Sequence, residues 1–395
     1  MDPIRNPFSP GAGAPPPELA GREALLARAA VTLGRIKAGR PEKSFLLVGL
    51  RGVGKTVLLN RIAQIAEDDG FRVVFVEAHE GKSLPALLVP ELRRLVYKLD
   101  AMAGLSQKVK RSLRVLRSFV GSVKVKISDI ELGIDVDPEA GTADSGDIES
   151  DLSDLFLAIG EAARERNTAV ALVLDELQYL KEVELSALIM AMHRIAQKQL
   201  PLVLIGAGLP QLVGHAGKSK SYAERLFDFP ELGPLDDAQL ADALQAPARQ
   251  ENVAFTDEAI GEIARVTKGY PYFLQEWAYQ TWNLATESPI GVDVVKVATQ
   301  QSLARLDASF FRVRLDRTTP REKEYMIALA RLGPGRQRSG EVADLMGADV
   351  QTVAPLRNGL IKKGMIFSPA HGDTEFTVPL FDEFMMRTVN RSAHS

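Results

Sequence analysis

Short apolar runs alternate with amphipathic stretches through the first half of the chain. Runs of four to six apolar residues are typical of buried parallel strands, and apolar residues spaced three and four apart mark one face of a helix. The pattern predicts strands over 44–48, 72–77, 169–174 and 202–205, and helices over 21–37, from 57, over 84–118 and over 183–198. This alternation predicts an α/β fold in which helices cover both faces of a parallel sheet.

The pattern changes after residue 231, where no further apolar strands of this length occur. Four helices are predicted over 236–250, 257–267, 272–286 and 292–306, which form a small helical lid. Three shorter helices follow over 321–332, 339–346 and 350–363, with short strands over 365–367 and 375–378. Three helices capped by a two-stranded wing predict a winged helix-turn-helix.

A glycine-rich segment follows the first predicted strand and precedes a helix. It matches Gly-x-x-x-x-Gly-Lys-Ser/Thr, the Walker A phosphate loop, completely. Its residues are Gly49-Leu50-Arg51-Gly52-Val53-Gly54-Lys55-Thr56, and Val57 continues into the helix. The glycines let backbone N–H groups turn toward phosphate oxygens, and the helix N-terminus adds partial positive charge. Lys55 is expected to reach the β- and γ-phosphates of ATP, and Thr56 to ligate Mg²⁺.

Two carboxylates come directly after the third predicted strand. Asp175 and Glu176 would lie at the carboxyl edge of the sheet, beside the phosphate loop. We expect Asp175 to hold Mg²⁺, directly or through water, and Glu176 to polarise the attacking water. The alternative is a helix start with acidic capping residues.

Composition restricts the remaining chemistry. The 395 residues carry a net charge of −3, so nucleic-acid contact would need a local basic patch. Cysteine is absent, which excludes disulfides and thiol chemistry. The five histidines are scattered without metal-ligand spacing. No apolar run reaches the about 18 residues of a membrane span, and we expect a soluble, cytoplasmic protein with no membrane partner.

Three further segments resemble parts of AAA+ and STAND ATPases, particularly the origin-recognition and archaeal-type branches. Residues 19–23 are similar to the adenine-side segment, which implies a nucleotide contact for Gly21 and Arg22. Residues 221–227 resemble a segment that carries an arginine finger, and Arg225 is the implied finger. Its alternative is an exposed helix arginine. Gly269-Tyr270-Pro271 resembles the Gly-x-Pro lid motif, in which Pro271 would pack near adenine.

The resemblance covers about residues 18–390 and implies a division of the chain. The predicted parts are a flexible N-terminal segment (1–17), an AAA+-like nucleotide-binding core (18–231) with a charged insertion at about 105–151, a helical lid (232–317) and a winged helix (318–395). One departure is Gly206-Ala207-Gly208, placed after the fourth strand where these families usually carry a polar sensor. Hydrolysis could therefore be slow, or another residue could sense the γ-phosphate.

The charged insertion separates its charges by sign. Five cations and no acid occur over 108–117, whereas ten acids and no Lys or Arg occur over 129–154. The first hypothesis is structural: the basic residues form a solvated helix face that pairs with the acidic stretch. The second hypothesis is functional: the basic residues form a phosphate-contact surface that the acidic stretch masks. The stretches 124–127 and 130–134 alternate like short strands.

Three hypotheses for function remain open. The first is an ATPase that uses ATP and Mg²⁺ and couples nucleotide state to DNA or a protein client through the winged helix. Its third helix carries Gln351, Thr352, Arg357, Asn358, Lys362 and Lys363. The second is a STAND-type signalling switch with slow turnover, and the third is a DNA-binding regulator that uses ATP as a ligand. A finger at Arg225 acting on a neighbour would imply a nucleotide-dependent homo-oligomer.

Overall fold

The computed structural model describes residues 1–11, 16–101, 106–123 and 136–392. The chain divides into two compact units, which we call the sheet unit and the helical unit. The sheet unit comprises Ala24–Val48 and Lys55–Glu231. The helical unit comprises Met1–Glu23, Gly49–Gly54 and Leu232–Ser395. The strand-like stretches predicted at 124–127 and 130–134 lie outside the described residues.

A parallel sheet forms the centre of the sheet unit. Its strands are β1 (Ser44–Gly49), β2 (Arg72–Glu77), β3 (Val170–Asp175), β4 (Leu202–Gly208) and β5 (Phe227–Asp228). They lie in the order β2-β3-β4-β1-β5, all neighbours parallel, and the short strand β6 (Glu231–Leu232) also pairs with β1. Every residue of β1, β3 and β4 is buried, as expected for strands covered on both faces. The predicted α/β parallel-sheet fold is confirmed.

Helices of the sheet unit connect these strands. They are α1 (Glu23–Lys37), α2 (Lys55–Asp68), α3 (Leu84–Ala101), α4 (Gln107–Ser122), α5 (Ile148–Glu165), α6 (Glu182–Gln197), α7 (Leu212–Ser219) and α8 (Ala223–Leu226). The sequence pattern did not predict α5, because its first turns lie in the acidic stretch. Asp147 caps it by accepting the N–H groups of Glu149 and Ser150, while Leu152 and Phe156 are buried.

The helical unit contains the second set of predicted helices. They are α9 (Asp237–Gln250), α10 (Asp257–Thr267), α11 (Pro271–Leu284), α12 (Val292–Leu306), α13 (Arg312–Leu315), α14 (Pro320–Arg331), α15 (Ser339–Leu345), α16 (Val350–Lys362) and α17 (Phe381–Ser392). An antiparallel sheet joins β7 (Gln337–Arg338), β9 (Asp373–Phe376) and β8 (Ile366–Phe367). Strand β7 lies between α14 and α15, and β8 and β9 follow α16. This order suits the predicted winged helix, which stays a prediction. No helix of the described residues combines the length and apolarity needed to cross a membrane.

The first residues are packed, although the sequence predicts a flexible lead-in. Phe8 is only 2% exposed and contacts the rings of Phe255 and Trp282 edge-on. The indole N–H of Trp282 donates to the Asp2 carbonyl at 3.0 Å. A Pro/Gly-rich composition signals the absence of regular secondary structure, whereas packing depends on single anchors such as Phe8.

Candidate active site

Lys55, Thr56 and Asp175 lie together in the sheet unit. Lys55 and Thr56 begin α2, and Asp175 is the last residue of β3. Because the strands are parallel, their carboxyl ends share one edge of the sheet. The Thr56 Oγ1 donates a hydrogen bond to the Asp175 Oδ2 at 2.5 Å. Lys55 is 6% exposed and close enough to Asp175 for an attractive electrostatic interaction.

The environment of Asp175 disfavours its charged form. The side chain is 1% exposed. Burial raises the pKa of this carboxyl, and the nearby charge of Glu176 raises it further. The hydrogen bonds from Thr56 and from the Glu176 N–H, together with the Lys55 charge, only partly oppose this shift. A divalent cation at this place would favour the ionised carboxylate.

The oxygen atoms of Thr56 and Asp175 suit Mg²⁺, which prefers hard oxygen ligands and keeps several waters. Among the described residues, no group of three or more His, Asp or Glu side chains gathers to hold a metal. A Mg²⁺ ion bound here would therefore take its other ligands from nucleotide phosphates and water.

Glu176 has an unusual backbone conformation. Its φ is 55° and ψ is 39°, the left-handed region that side chains other than glycine rarely adopt. Its N–H donates to the Asp175 Oδ1 at 2.7 Å. Strain of this kind is concentrated at functional sites, and it supports the role predicted for Glu176.

Gln178 is a functional candidate that sequence reasoning missed. Its Nε2 donates to the Glu176 carboxylate, and its Oε1 accepts the Leu209 N–H at 3.1 Å. Gln178 thereby links Glu176 to the residue that follows β4. The sequence feature that could have indicated this role is the position of Gln178, two residues after Glu176. In the structure Gln178 lies in the short 3₁₀ helix Leu177–Tyr179.

The predicted position of Gly206-Ala207-Gly208 was wrong, because these residues belong to β4 rather than to the loop after it. Their small size has a packing reason. A Cβ at Gly206 would lie 2.5 Å from the Leu177 Cδ1, and one at Gly208 would lie 3.1 Å from the Gln178 Oε1. The strand end therefore leaves room for the Leu177–Tyr179 segment and for Gln178.

The phosphate loop from Gly49 to Gly54 belongs to the helical unit. Gly52 and Gly54 have φ values of 83° and 90°, which a residue with a Cβ would adopt only with strain. The Gly52 carbonyl accepts the N–H of Tyr272 at 3.1 Å, and the Arg51 N–H donates to the Thr377 carbonyl at 2.9 Å. The lid and the segment after the wing therefore contact the loop through backbone bonds.

Gly21, Arg22 and Pro271 also lie in the helical unit. The Arg22 Nη2 donates to the Gly233 carbonyl at 2.9 Å and to the Val53 carbonyl at 3.4 Å. Burial lowers the pKa of this guanidinium. Gly21 has a φ of 70°, and Pro271 begins α11 one residue before Tyr272. Arg22 thus holds a phosphate-loop carbonyl in this structure.

Arg225 is exposed on α8. Its side chain forms no ion pair with a residue that the structure describes. The structure does not bring it to Asp175 or Glu176 within the sheet unit, and its predicted role as a finger remains a prediction.

A Walker A loop between β1 and α2, with Asp-Glu at the end of β3 in a parallel sheet, defines the class of P-loop nucleoside-triphosphate-binding proteins. Residues 18–205 match the family model described as the AAA ATPase domain. This part of the chain is therefore similar to AAA ATPase domains. Residues 308–385 match a second model, a domain of unknown function (DUF8462). A search of curated proteins finds no match.

Solved structures are similar along nearly the whole chain. The Walker-type ATPase PABY2304 of Pyrococcus abyssi has 17% sequence identity and a TM-score of 0.58, with 93% of this chain and 96% of that chain covered. The Orc1 protein of Aeropyrum pernix, solved in complex with DNA, has 17% identity and a TM-score of 0.48, with 95% and 94% covered. The likeness to the first shows a shared fold.

Proposed function

We propose that the protein binds ATP with Mg²⁺, hydrolyses it, and couples its nucleotide state to a macromolecular client through the winged helix. The observation that carries the proposal is the Thr56–Asp175 oxygen pair next to buried Lys55, directly after a complete phosphate loop. The cost of burying Lys55 and Asp175 is offset most fully when phosphate and Mg²⁺ occupy this place.

Each residue has one role in the proposed reaction. The N–H groups of Gly52, Val53 and Gly54 orient the phosphates, and Lys55 neutralises charge on the β- and γ-phosphates. Thr56 and Asp175 would hold Mg²⁺, which supplies further charge neutralisation. Glu176 orients a water molecule and accepts its proton as the water oxygen bonds to the γ-phosphorus, and ADP leaves. Gln178 positions the Glu176 carboxylate.

Two backbone bonds in the helical unit support the coupling. Arg51 and Gly52 of the phosphate loop bond to Thr377 after the wing and to Tyr272 in the lid helix α11. Any rearrangement of the loop around phosphate would alter these bonds, so nucleotide binding and the position of the winged-helix segment are linked.

The surface of the winged helix favours a protein client over DNA. Arg357 of α16 is turned inward, with its Nη2 donating to the Asp373 carbonyl at 2.7 Å, and Lys363 pairs with Glu322 at 2.6 Å. Leu345 and Val350 are 48% and 51% exposed, and each follows an exposed aspartate. Exposed apolar side chains beside acids suit a protein partner and oppose DNA phosphates.

A slow nucleotide switch is the second candidate. The observation that favours it is the end of β4, where Gly206, Ala207 and Gly208 offer no polar side chain to sense the γ-phosphate. Sizing with and without a non-hydrolysable ATP analogue, together with turnover measured at the same protein concentrations, separates the two. Turnover that rises with assembly supports the ATPase, and tight nucleotide retention with no turnover in any assembly supports the switch.

Steady-state phosphate release by wild type and Glu176→Gln tests the proposal. The substitution keeps the size of the side chain and removes its basicity, so we expect ATP binding to persist and turnover to fall about a hundredfold or more. Glu182→Gln is the matched control on an exposed glutamate of the sheet unit, and it should turn over like wild type. Equal rates in wild type and Glu176→Gln would contradict the proposed role of Glu176.

A further inference from the structure

Helix α4 of the sheet unit presents a row of cations. We call Lys108, Lys110, Arg111, Arg114 and Arg117 the α4 ridge. The opposite face is anchored by buried residues, among them Val109, Leu116 and Phe119. The Ser112 Oγ donates to the Ala158 carbonyl of α5 at 2.9 Å. The ridge residues therefore belong to a helix whose other face is buried and hydrogen-bonded to α5.

The placement of these cations works against the helix itself. The N-terminus of a helix carries partial positive charge and favours acidic residues. The first turn of α4 contains no acid, and Lys108, Lys110 and Arg111 lie in its first five residues. A sequence that breaks a local rule in this way usually does so at a functional site.

One glutamate from the acidic stretch covers the middle of the ridge. The Glu139 carboxylate accepts the Arg111 Nε at 2.8 Å and the Arg114 Nη2 at 3.4 Å. The Ser118 Oγ donates to the Glu139 carbonyl at 2.9 Å, so the backbone of this segment is also held against α4. These pairs hold the pKa of Glu139 below its ordinary value although burial opposes the shift.

Positive charge remains in excess after this pairing. Glu161 is the second carboxylate, 3.4 Å from the Arg111 Nη1 and 4.0 Å from the Lys108 Nζ. Lys110 and Arg117 form no ion pair with a residue that the structure describes. Asp154 also interacts electrostatically with Arg111, so among the described residues three carboxylates act on five cations and leave an excess of two positive charges. The side chains of Arg111 and Arg114 are each 41% exposed despite their pairing.

The chemistry of the exposed face selects a polyanion rather than a folded protein. Protein interfaces depend on apolar or aromatic anchors, and none of the large exposed apolar side chains of the described residues lies on α4. Lys110 and Arg117 are seven residues apart, about 10 Å along the helix. That distance equals the rise of about three base pairs along the duplex axis, at about 3.4 Å per phosphate of one strand.

We propose that the α4 ridge binds the phosphate backbone of duplex DNA without reading its sequence, and that Glu139 competes with DNA for Arg111 and Arg114. No base-reading side chain is needed for such binding, which depends on the release of counterions. DNA that displaces Glu139 gains two guanidinium groups, whose planar forks suit phosphate oxygens.

Fluorescence anisotropy with the full-length protein and a labelled random-sequence duplex tests the ridge, at a series of salt concentrations. Lys110→Gln/Arg117→Gln should bind about tenfold more weakly, and the slope of log affinity against log salt should fall by about 1.8. The control Lys296→Gln/Arg265→Gln removes the same charge from exposed lid positions and should keep the wild-type slope. Equal losses in both double variants would overturn the proposal.

Glu139→Gln tests the competition with the same duplex. Removing the carboxylate charge releases Arg111 and Arg114, so the affinity for DNA should rise several-fold and the salt slope should steepen. An unchanged or lower affinity in a variant with the wild-type melting temperature would overturn the competition. Polyglutamate that displaces DNA as well as unlabelled duplex does, at equal charge concentration, would assign the ridge to acidic proteins and overturn its assignment to DNA.

Discussion

The eight residues of the phosphate loop motif are divided between the two units, and the kinds of contact that they make differ. Lys55 and Thr56 belong to the sheet unit, where side chains make the contacts: a hydroxyl, a buried ammonium and a buried carboxylate. Residues Gly49–Gly54 belong to the helical unit, where the contacts of Arg51 and Gly52 with Thr377 and Tyr272 are backbone bonds. The first group of contacts involves side chains that can act on phosphate charge, whereas the second consists of main-chain hydrogen bonds to the lid and to the segment that contains Thr377.

Under the proposed function, this difference would let one short motif serve both catalysis and coupling. The side chains of Lys55, Thr56 and Asp175 are proposed to stabilise phosphate charge or to hold Mg²⁺. Removing one of them should therefore change the affinity for ATP or the rate of hydrolysis directly. A backbone bond such as Arg51–Thr377 contributes only about 1 kcal/mol. Loss of this bond should therefore change how the segment that contains Thr377 responds to nucleotide more than it changes the affinity for ATP. Variants in the two units separate these two effects.

Gln178→Glu in the sheet unit should have a larger effect than Arg51→Pro in the helical unit or Asp175→Asn. The change removes the donor that holds Glu176 and adds a like charge beside it. We expect turnover to fall at least about tenfold with little change in KM.

A matched control for this change is Gln64→Glu. Gln64 is exposed on α2, and its Nε2 also donates to a carboxylate, that of Asp68, at 2.9 Å. It should leave the rate unchanged. A Gln178→Glu protein that turns over ATP as fast as wild type would show that Gln178 does not position Glu176.

A smaller effect is expected in the helical unit from Arg51→Pro. Proline lacks the N–H that Thr377 accepts, whereas Arg51→Ala keeps it and serves as control. The Thr377 amide donates to the Met365 carbonyl at 3.0 Å, and its hydrogen exchange reports on the segment. Exchange should be about fivefold faster in Arg51→Pro, corresponding to about 1 kcal/mol. Equal exchange in the two variants would show that the bond does not hold this segment.

The smallest effect concerns stability and follows from Asp175. Its pKa is raised in the folded protein, so the favourable contribution of its neutral form is present below the unfolded pKa and is lost as pH rises through the folded pKa. Above this folded pKa the nucleotide-free protein carries an unfavourable buried charge. Asp175→Asn should therefore raise the melting temperature without nucleotide by about 2 °C.

The pH dependence checks this interpretation of Asp175. The increase in melting temperature caused by Asp175→Asn should become smaller toward acidic pH, where the wild-type carboxyl is neutral. Mg²⁺ with ATP should stabilise wild type but not the variant. A variant that melts below wild type at neutral pH, or a gain that is constant with pH, would contradict the proposed burial cost.

Side-chain motifs and apolar runs were predictable from the sequence, and tertiary backbone contacts were not. The strand predicted at 72–77 is β2, and the motif places Lys55, Thr56 and Asp175 at one sheet edge. The contact between Arg51 and Thr377 joins positions 326 residues apart through main-chain atoms, which leave no residue-type signal. Gln178 was missed because its role depends on the turn that begins at Glu176.

Binding of Mg²⁺·ATP to Lys55→Ala, measured by titration calorimetry, tests the central claim most directly. The matched control is Lys37→Ala, since Lys37 is 53% exposed and pairs with Asp69 on the surface of the sheet unit. We predict that Lys37→Ala binds like wild type and that Lys55→Ala loses about a hundredfold in affinity, because a buried charge-assisted contact to phosphate is removed. Wild-type affinity in a folded Lys55→Ala protein would contradict the assignment of the phosphate loop as the ATP site.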